Sequence, residues 1–514
     1  MKKDALSEAL RKGLNRRAGW PVQAALWLVS CIVFWFFAVN ARYAMIDEFS
    51  AYGAEQPTCF TAAVYTAIFA LSFAVQVRMS RRMPLYAQVL AALVTGAVLL
   101  AKISLLDYVS DDYSIFLSDW IFDYSQMGFK QALGTYIGSD YTPPYLYILA
   151  LISRVNGYPW QYLVKAVSIA FDILLAYAVA MLAGLRLRGD GARLAVFHIA
   201  SILPTVVFNG AYWAQCDVIY TSLCLMALYF ALTQRSARCM IFLGMALSFK
   251  LQTVFFFPAL LPLWLRRDIK LRHLPLIPAA YMAMMIPALW AGKSLHHVLT
   301  VYLVQAGGYN FMTVNAPSIW QFLPELDKSM LFNMFGGLAM AMGMAFLFGA
   351  CALVCLRREN LSRQSALLFA LLILGGVPLF LPKMHERYTF GADVLALAVC
   401  FICMPAWPNP AANGFTASAA PASVAGGSRP GIPAGPTGPV ISAAPVAPVA
   451  LPLLYGLASY ICYTGGLPGD AVMELKWASV FQMLAVALTA MLLWRSLRGG
   501  CADEAAQTPA EVKA

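Results

Sequence analysis

At 514 residues, 61% hydrophobic and 12% charged, the chain carries far less charge than the roughly 25% of a soluble domain. Apolar runs of about 18 or more residues recur along its length, which reads as an all-α polytopic membrane protein and excludes a soluble multidomain enzyme. The net charge of +11 comes from Lys and Arg in short loops beside those runs, a topology signal and not a nucleic-acid footprint.

Lys2, Lys3, Arg11, Lys12, Arg16 and Arg17 form a basic flank before the first apolar span. No small-residue cleavage pattern follows, so a retained helix with a cytoplasmic N-terminus is expected. Spans are predicted near 20–41, 58–77, 85–106, 143–156, 159–184, 192–208, 211–233, 239–265, 273–291, 332–356, 364–381, 388–405, 451–465 and 476–494, about 14 (12–16) transmembrane helices. The loops holding Arg78/Arg81/Arg82, Arg186/Arg188/Arg193, Arg266/Arg267/Lys270/Arg272, Arg357/Arg358/Arg363 and Arg495/Arg498 belong in the cytoplasm, with the C-terminus. That assigns 42–57, 107–142, 292–331, 382–387 and 466–475 to the outer side.

Alternation fails in two places. Segment 239–265 lies between two basic loops, Arg235/Arg238 and Arg266/Arg267, and must return to the side it left. A break near Lys250-Leu251-Gln252 solves this by making two short helices. Segment 143–184 needs an odd number of crossings, so one of its two spans is expected to be broken or re-entrant, which is tolerated where it lines a cavity.

Four organisational units are read: 1–84 with two leading helices, a catalytic membrane core at 85–405, a Pro/Ala/Gly-rich disordered linker at 406–450, and two final helices with a short tail at 451–514. No nucleotide-binding loop or internal repeat is evident. Cys351/Cys355 and Cys400/Cys403 share helix faces, but no His accompanies either pair, and buried inert thiols are the simpler reading.

Four constellations carry chemistry. Asp111-Asp112 lies in an outer loop that also holds Asp107, Asp119, Asp123 and Asp140. Adjacent carboxylates raise one another's pKa, so one of the pair can serve as a general base, against a plain solvated loop. Phe116, Leu117 and Trp120 are expected to pin a short interfacial helix to the membrane surface. Asn209, Gln215 and Asp217 sit between two apolar spans, facing a cavity or capping a turn. Lys250 and Gln252 interrupt a long apolar run, as a functional pair or as a Lys snorkelling to an interface. Lys383-Met384-His385-Glu386-Arg387 is a cationic cluster at an outer helix end, suited to holding a phosphate, whereas basic membrane anchors favour the cytoplasm.

The ordered set resembles the GT-C superfamily of membrane glycosyltransferases, and within it the bacterial relatives of the PIG-V-type GPI mannosyltransferase. The resemblance covers roughly 85–405 and is carried by Ser110-Asp111-Asp112-Tyr113 with Phe116-Leu117 and Trp120, Asp140-Tyr141-Thr142-Pro143-Pro144-Tyr145, Asn209-Gly210-Ala211-Tyr212-Trp213 with Gln215 and Asp217, Lys250 with Gln252, Asn315-Ala316-Pro317, and Lys383 to Tyr388 with Asp393. The 406–450 insertion departs from the family pattern.

The resemblance implies inverting transfer of a hexose, mannose above all, from a polyprenyl-phosphate sugar to a glycan, lipid or protein acceptor at the outer face of a bacterial cytoplasmic membrane. It favours Asp112 over Asp111 as base. Arg387, Lys383 and His385, with Lys250, would hold the donor phosphate. Asp140, Tyr141, Asn209, Gln215, Asp217, Gln252 and Glu386 would contact sugar or acceptor. No nucleotide is needed, and a divalent metal has no dedicated ligand set. The rival expectation is a secondary transporter or lipid-linked-sugar flippase, which also needs buried polar groups and broken helices.

Overall fold

The computed structural model describes residues 19–49, 58–80, 83–187, 189–308, 310–324, 327–404, 446–466 and 472–498. The basic N-terminal flank, the chain end and most of the 406–450 segment lie outside the described residues, as do Arg81, Arg82 and Arg188. The chain is an all-α polytopic membrane protein. Its helices are α1 (Trp20–Phe49), α2 (Thr58–Met79), α3 (Leu85–Ile103), α4 (Ser118–Ser125), α5 (Phe129–Gly134), α6 (Pro143–Ile152), α7 (Trp160–Ala183), α8 (Asp190–Ser201), α9 (Asp217–Leu232), α10 (Ser236–Leu247), α11 (Leu260–Leu265), α12 (Leu276–Trp290), α13 (Leu295–Gly307), α14 (Lys328–Leu356), α15 (Arg363–Phe380), α16 (Phe390–Cys403), α17 (Val446–Gly466) and α18 (Leu475–Arg498). The described strands are β1 (Thr313–Val314) and β2 (Met384–His385), a parallel pair.

Among the described residues nine helices are long and apolar enough to cross a bilayer, or ten if α8 and the Pro204–Tyr212 turn form one span bent by 51°. The helices sort by where their apolar surface goes. On α1 and α14, large side chains such as Phe36, Phe37, Met334 and Phe348 are exposed, as lipid-facing helices require. On α9, α15 and α16 nearly every side chain is buried, so these three form the centre of the bundle.

Both breaks in alternation have a structural answer. α10 ends at Leu247, Lys250 takes an extended conformation (φ −153°, ψ 137°), and the chain returns through a 3₁₀ segment, Leu251–Ala259, into α11. The expected break at Lys250 is therefore present. α6 has ten residues, about 15 Å of helix, half of the roughly 30 Å hydrocarbon core. Thr142, just before it, donates to Ser248 O (2.6 Å), while Arg154, just after it, donates to Met127 O (2.7 Å) and to Tyr124 O. Both ends are thus tied to one end of the bundle, and α6 does not cross it.

Straight helices then divide the loops between two ends. Arg186 donates to Met404 O (3.3 Å), Arg266 to Leu361 O (2.6 Å) and Asn360 to Leu497 O (2.9 Å), which gathers the basic loops at one end. Residues 107–142, the 207–217 turn, Lys250, the β1–β2 pair and the end of α17 meet at the other.

One expectation about the acidic loop is corrected. Leu117 (4% exposed) and Trp120 (8%) point into the protein, and Trp120 packs edge-on against Tyr141 at 5.8 Å. Ile115, Phe116 and Phe122 are exposed. A π-helical turn over Tyr113–Leu117 feeds α4 and sets which faces turn inward, a shift that simple 3.6-residue periodicity does not reveal.

Candidate active site

The site begins where α3 ends. Lys165 of α7 donates to the carbonyls of Leu105 (2.7 Å), Leu106 (3.1 Å) and Tyr108 (2.7 Å), satisfying carbonyls of the turn that follows the helix. Ser110 Oγ donates to Trp213 O at 2.7 Å, and Tyr108 stacks on Tyr212 at 3.7 Å. These contacts lock the acidic loop to the 207–217 turn and aim Asp112 inward. Asp111 stays exposed, and the structure therefore separates the two adjacent carboxylates.

The 207–217 turn is a second π-helical segment, Val207–Tyr212, pressed against α7. A Cβ on Gly210 would stand 3.2 Å from Ser168 Cβ, so only glycine fits this approach without displacement. Ser168 Oγ donates to Gln215 O at 2.7 Å, which fixes the Gln215 backbone. Asp217 opens α9, where the helix N-terminus favours a carboxylate.

Arg387 arrives from the loop between α15 and α16. β1 and β2 pair Thr313 with Met384 and Val314 with His385, and the flanking bonds Lys383 N to Phe311 O (3.1 Å) and Glu386 N to Val314 O (3.0 Å) extend the ladder. Lys383 has φ +63°, a left-handed conformation that a non-glycine residue adopts at a cost. This short ladder presents Arg387 to the rest of the site.

The charged core is compact. Arg387 Nη1 lies 3.1 Å from Asp112 Oδ2 and 3.0 Å from Glu386 Oε1. Gln215 Nε2 also donates to Asp112 Oδ2, while Asp112 Oδ1 has no protein partner among the described residues. Lys250 Nζ pairs with Asp217 Oδ1 at 2.5 Å, and Asn209 Nδ2 donates to Asp217 Oδ2 at 2.8 Å. Arg387 Nε faces that same Oδ2 at 3.9 Å, beyond hydrogen-bond range, and is a buried donor with no protein acceptor. The Arg387 guanidinium lies 5.6 Å from the Trp213 ring.

Exposure grades the members. The Asp112 side chain is 25% exposed and that of Arg387 14%, whereas Lys250 (4%), Glu386 (4%) and Asp217 (0%) form a buried layer beneath. Asn209 and Asp217 were expected against a sugar. Both are fully buried: Asp217 pairs with Lys250 and Asn209 holds Asp217, and Gln252 is buried with its Oε1 lacking a protein partner. Tyr141 donates to Gln215 Oε1 at 3.4 Å and lies under Lys250, 5.7 Å away.

Titration follows burial and charge. Burial raises the Glu386 carboxyl to about 7, even though Arg387 pulls the other way. Burial, reinforced by Arg387 and Lys250, lowers His385 to about 3, so its ring is neutral at ordinary pH. Desolvation also raises Asp140, opposed by its own backbone N–H and by Lys250 and Arg387. Burial alone would lower Arg387; the carboxylates Asp112, Glu386 and Asp217 more than reverse that and keep it charged.

Two expected phosphate holders differ from the sequence reading. Lys383 turns away, donating to Ala306 O (3.2 Å) with its ammonium 5.0 Å from the Phe332 ring. His385 is near the cluster but contributes no positive charge. Arg387 and Lys250 are the cations the fold brings together. Among the described residues no three His, Cys, Asp or Glu side chains converge as metal ligands, and Arg387 fills the space between the carboxylates.

One contributor was not legible in sequence. Tyr463, near the end of α17, accepts from Asn209 Nδ2 at 3.0 Å and packs edge-on against Trp213 at 5.3 Å. A Cβ on Gly466 would stand 3.2 Å from Trp213 and 3.4 Å from Glu386, so the α17 terminus abuts the site directly. No local pattern marks Tyr463; it lies 254 residues from its partner, beyond the Pro/Ala-rich segment. No family profile, curated protein or solved structure matches the chain.

Proposed function

We propose that this protein is a membrane glycosyltransferase of the GT-C type that moves a hexose, mannose above all, from a polyprenyl-phosphate sugar to a glycan, lipid or protein acceptor. The observation that carries the reading is the pairing of Asp112 with Arg387. One carboxylate oxygen is oriented by Gln215 and Arg387 while the other is open to an incoming hydroxyl. A base must have its geometry held and one lone pair available, and this arrangement supplies both.

In the proposed reaction Asp112 Oδ1 takes the acceptor hydroxyl proton as the oxygen attacks the anomeric carbon. The bond from that carbon to the phosphate oxygen breaks, and polyprenyl phosphate leaves with the electron pair. Arg387 is suited to the departing phosphate because its fork matches phosphate geometry and its Nε lacks a protein acceptor. Lys250 adds positive charge from the layer below. Asp140 and Tyr141, at the rim, are the candidate contacts for sugar or acceptor hydroxyls. Asp217 and Asn209 are positioning residues.

The basic loops lie at the end of the bundle remote from Asp112, which supports an outer-face site with cytoplasmic termini. Ten spans together with α9, α10, the Leu251–Leu265 return and α16 support the reading of fourteen crossings. The bacterial cytoplasmic membrane remains the proposed location.

A transporter or flippase reading draws on a second polar feature. Lys102 of α3 pairs with Asp172 of α7 at 2.5 Å, both nearly unexposed, within membrane-spanning helices where charge is costly. Incubating the purified protein with a labelled polyprenyl-phosphate hexose and an envelope extract separates the two. Release of polyprenyl phosphate with transfer of label supports the transferase. Movement of intact donor across proteoliposomes without release would replace it with the transporter.

A further inference from the structure

At the end of the bundle opposite Asp112, the turn between α9 and α10 folds against the segment between α11 and α12. Arg235, Arg238, Lys270 and His273 line a cavity of about 380 Å³ there. No carboxylate is among its lining residues, which are otherwise Gln234, Ser236 and Ala237. Asp268, two residues before Lys270, is already engaged: Gln234 Nε2 donates to Oδ1 at 2.5 Å, and Arg266 Nε contacts Oδ2 at 2.8 Å. Three exposed cations thus share one concavity without a counter-ion from it.

The walls are built, not incidental. Ser236 Oγ accepts from Lys270 N at 2.8 Å and lies 2.9 Å from His273 Nδ1, which fastens the 271–273 turn to the start of α10. α10 runs for twelve residues from Ser236, so its N-terminal N–H groups add a positive dipole end to the same cavity. Gln234 and Arg267 both adopt left-handed backbone conformations, φ +62° and +65°, at the two turns that shape it. Leu271 (45% exposed) and Leu274 (36%) stand beside Lys270 and His273, apolar side chains next to the basic hollow.

From this geometry we infer that the cavity binds a phosphate anion, and that the phosphate is the headgroup of an anionic membrane lipid whose chains run past Leu271 and Leu274. Guanidinium and ammonium groups around a helix N-terminus recognise phosphate oxygens, and the flanking leucines suit the glycerol and acyl portion. The site is separate from the Asp112 cluster by the whole length of α9 and does not depend on the reaction proposed there.

The test uses the full-length protein in detergent, with phosphatidylglycerol followed by native mass spectrometry and inorganic phosphate followed by calorimetry. Each exposed cation is expected to contribute about fivefold, so R235A/R238A/K270A should bind phosphatidylglycerol about a hundredfold more weakly. R235K/R238K/K270R should stay within a few-fold of the parent. Binding of inorganic phosphate that the triple alanine variant loses, with no preference for phosphatidylglycerol over phosphatidylcholine, would identify free phosphate as the source and overturn the lipid assignment. Equal binding by parent and triple variant, or no binding of either probe by the parent, would overturn the site itself. Should the triple variant not fold, R238A alone, at an exposed position, decides by the same fivefold criterion.

Discussion

Arg387 Nη1 meets Asp112 Oδ2 at 3.1 Å across 275 residues of sequence, joining the acidic loop to the cationic loop in a single ion pair. Each partner is held from a different direction, Asp112 by Gln215 and Arg387 by Glu386. In the free protein the cation proposed for the donor phosphate is therefore neutralised by the proposed base. In the proposed reaction a phosphate entering beside Arg387 would share that guanidinium with Asp112 Oδ2, leaving Oδ1 to take the proton.

Asp112→Asn should lower transfer by roughly 10²–10⁴, the span that a positioned general base supplies, with donor affinity largely retained. Asp111→Asn, at the exposed neighbour, should remain close to the parent. Single-turnover transfer and equilibrium binding of labelled donor measure both. Equal losses in the two variants would remove Asp112 from the role of base.

Arg387→Ala leaves Asp112, Glu386 and Asp217 facing one another without their shared cation. Breaking a buried pair in this way costs about 3–5 kcal/mol, reduced here because Asp112 is a quarter exposed. Donor affinity should fall and the melting temperature drop. Arg387→Lys keeps the charge but not the fork, so it should regain stability more fully than donor binding. Thermal shift in detergent alongside donor titration reads the two effects separately.

Glu386 gives stability a pH dependence whose sign can be worked out. Its folded value of about 7 exceeds the ordinary 4.5, so the folded state binds more protons between those limits. This contribution is fully present below about pH 4.5 and is lost as pH rises through about 7. Glu386→Gln should remove that decline. The comparison of parent and variant melting temperatures over the same pH range cancels the opposite trend from His385, whose lowered value favours stability as pH rises from about 3.

Lys102 and Asp172 test whether an intramembrane pair serves only the fold. Lys102→Met or Asp172→Asn alone should destabilise by about 3–5 kcal/mol, because each strands a buried charge. The double change Lys102→Met/Asp172→Leu should recover much of that loss. Restored stability without restored activity would show that the pair does more than hold α3 to α7.

Tyr463→Phe removes the hydroxyl that accepts from Asn209. A loss of about 1 kcal/mol in stability and a modest fall in transfer are expected, since Asn209 then positions Asp217 less firmly. Ending the chain before Val446 removes α17 and α18 together with Tyr463, and should abolish transfer.

Membrane class, the break at Lys250 and the chemical character of the site residues were determined by the sequence alone. Apolar runs of bilayer length, loops rich in Arg, and polar groups stranded inside apolar segments are local signals, each readable without knowing what the segment touches. The tertiary structure decided which of those residues meet. Asp111 and Asp112 are equivalent in composition, and only the packing of Ser110 and Tyr108 on the 207–217 turn aims one of them at Arg387. Lys383 and Arg387 are both cations in one loop, and only the register of β1 on β2 and the left-handed turn at Lys383 send them to different places. α6 is apolar enough to span, yet the bonds at Thr142 and Arg154 keep both its ends together. Tyr463 joins the site from beyond a long Pro/Ala-rich segment. Hydrophobic periodicity records how each segment partitions between lipid, water and protein; it carries no information about hydrogen bonds closed between residues hundreds of positions apart.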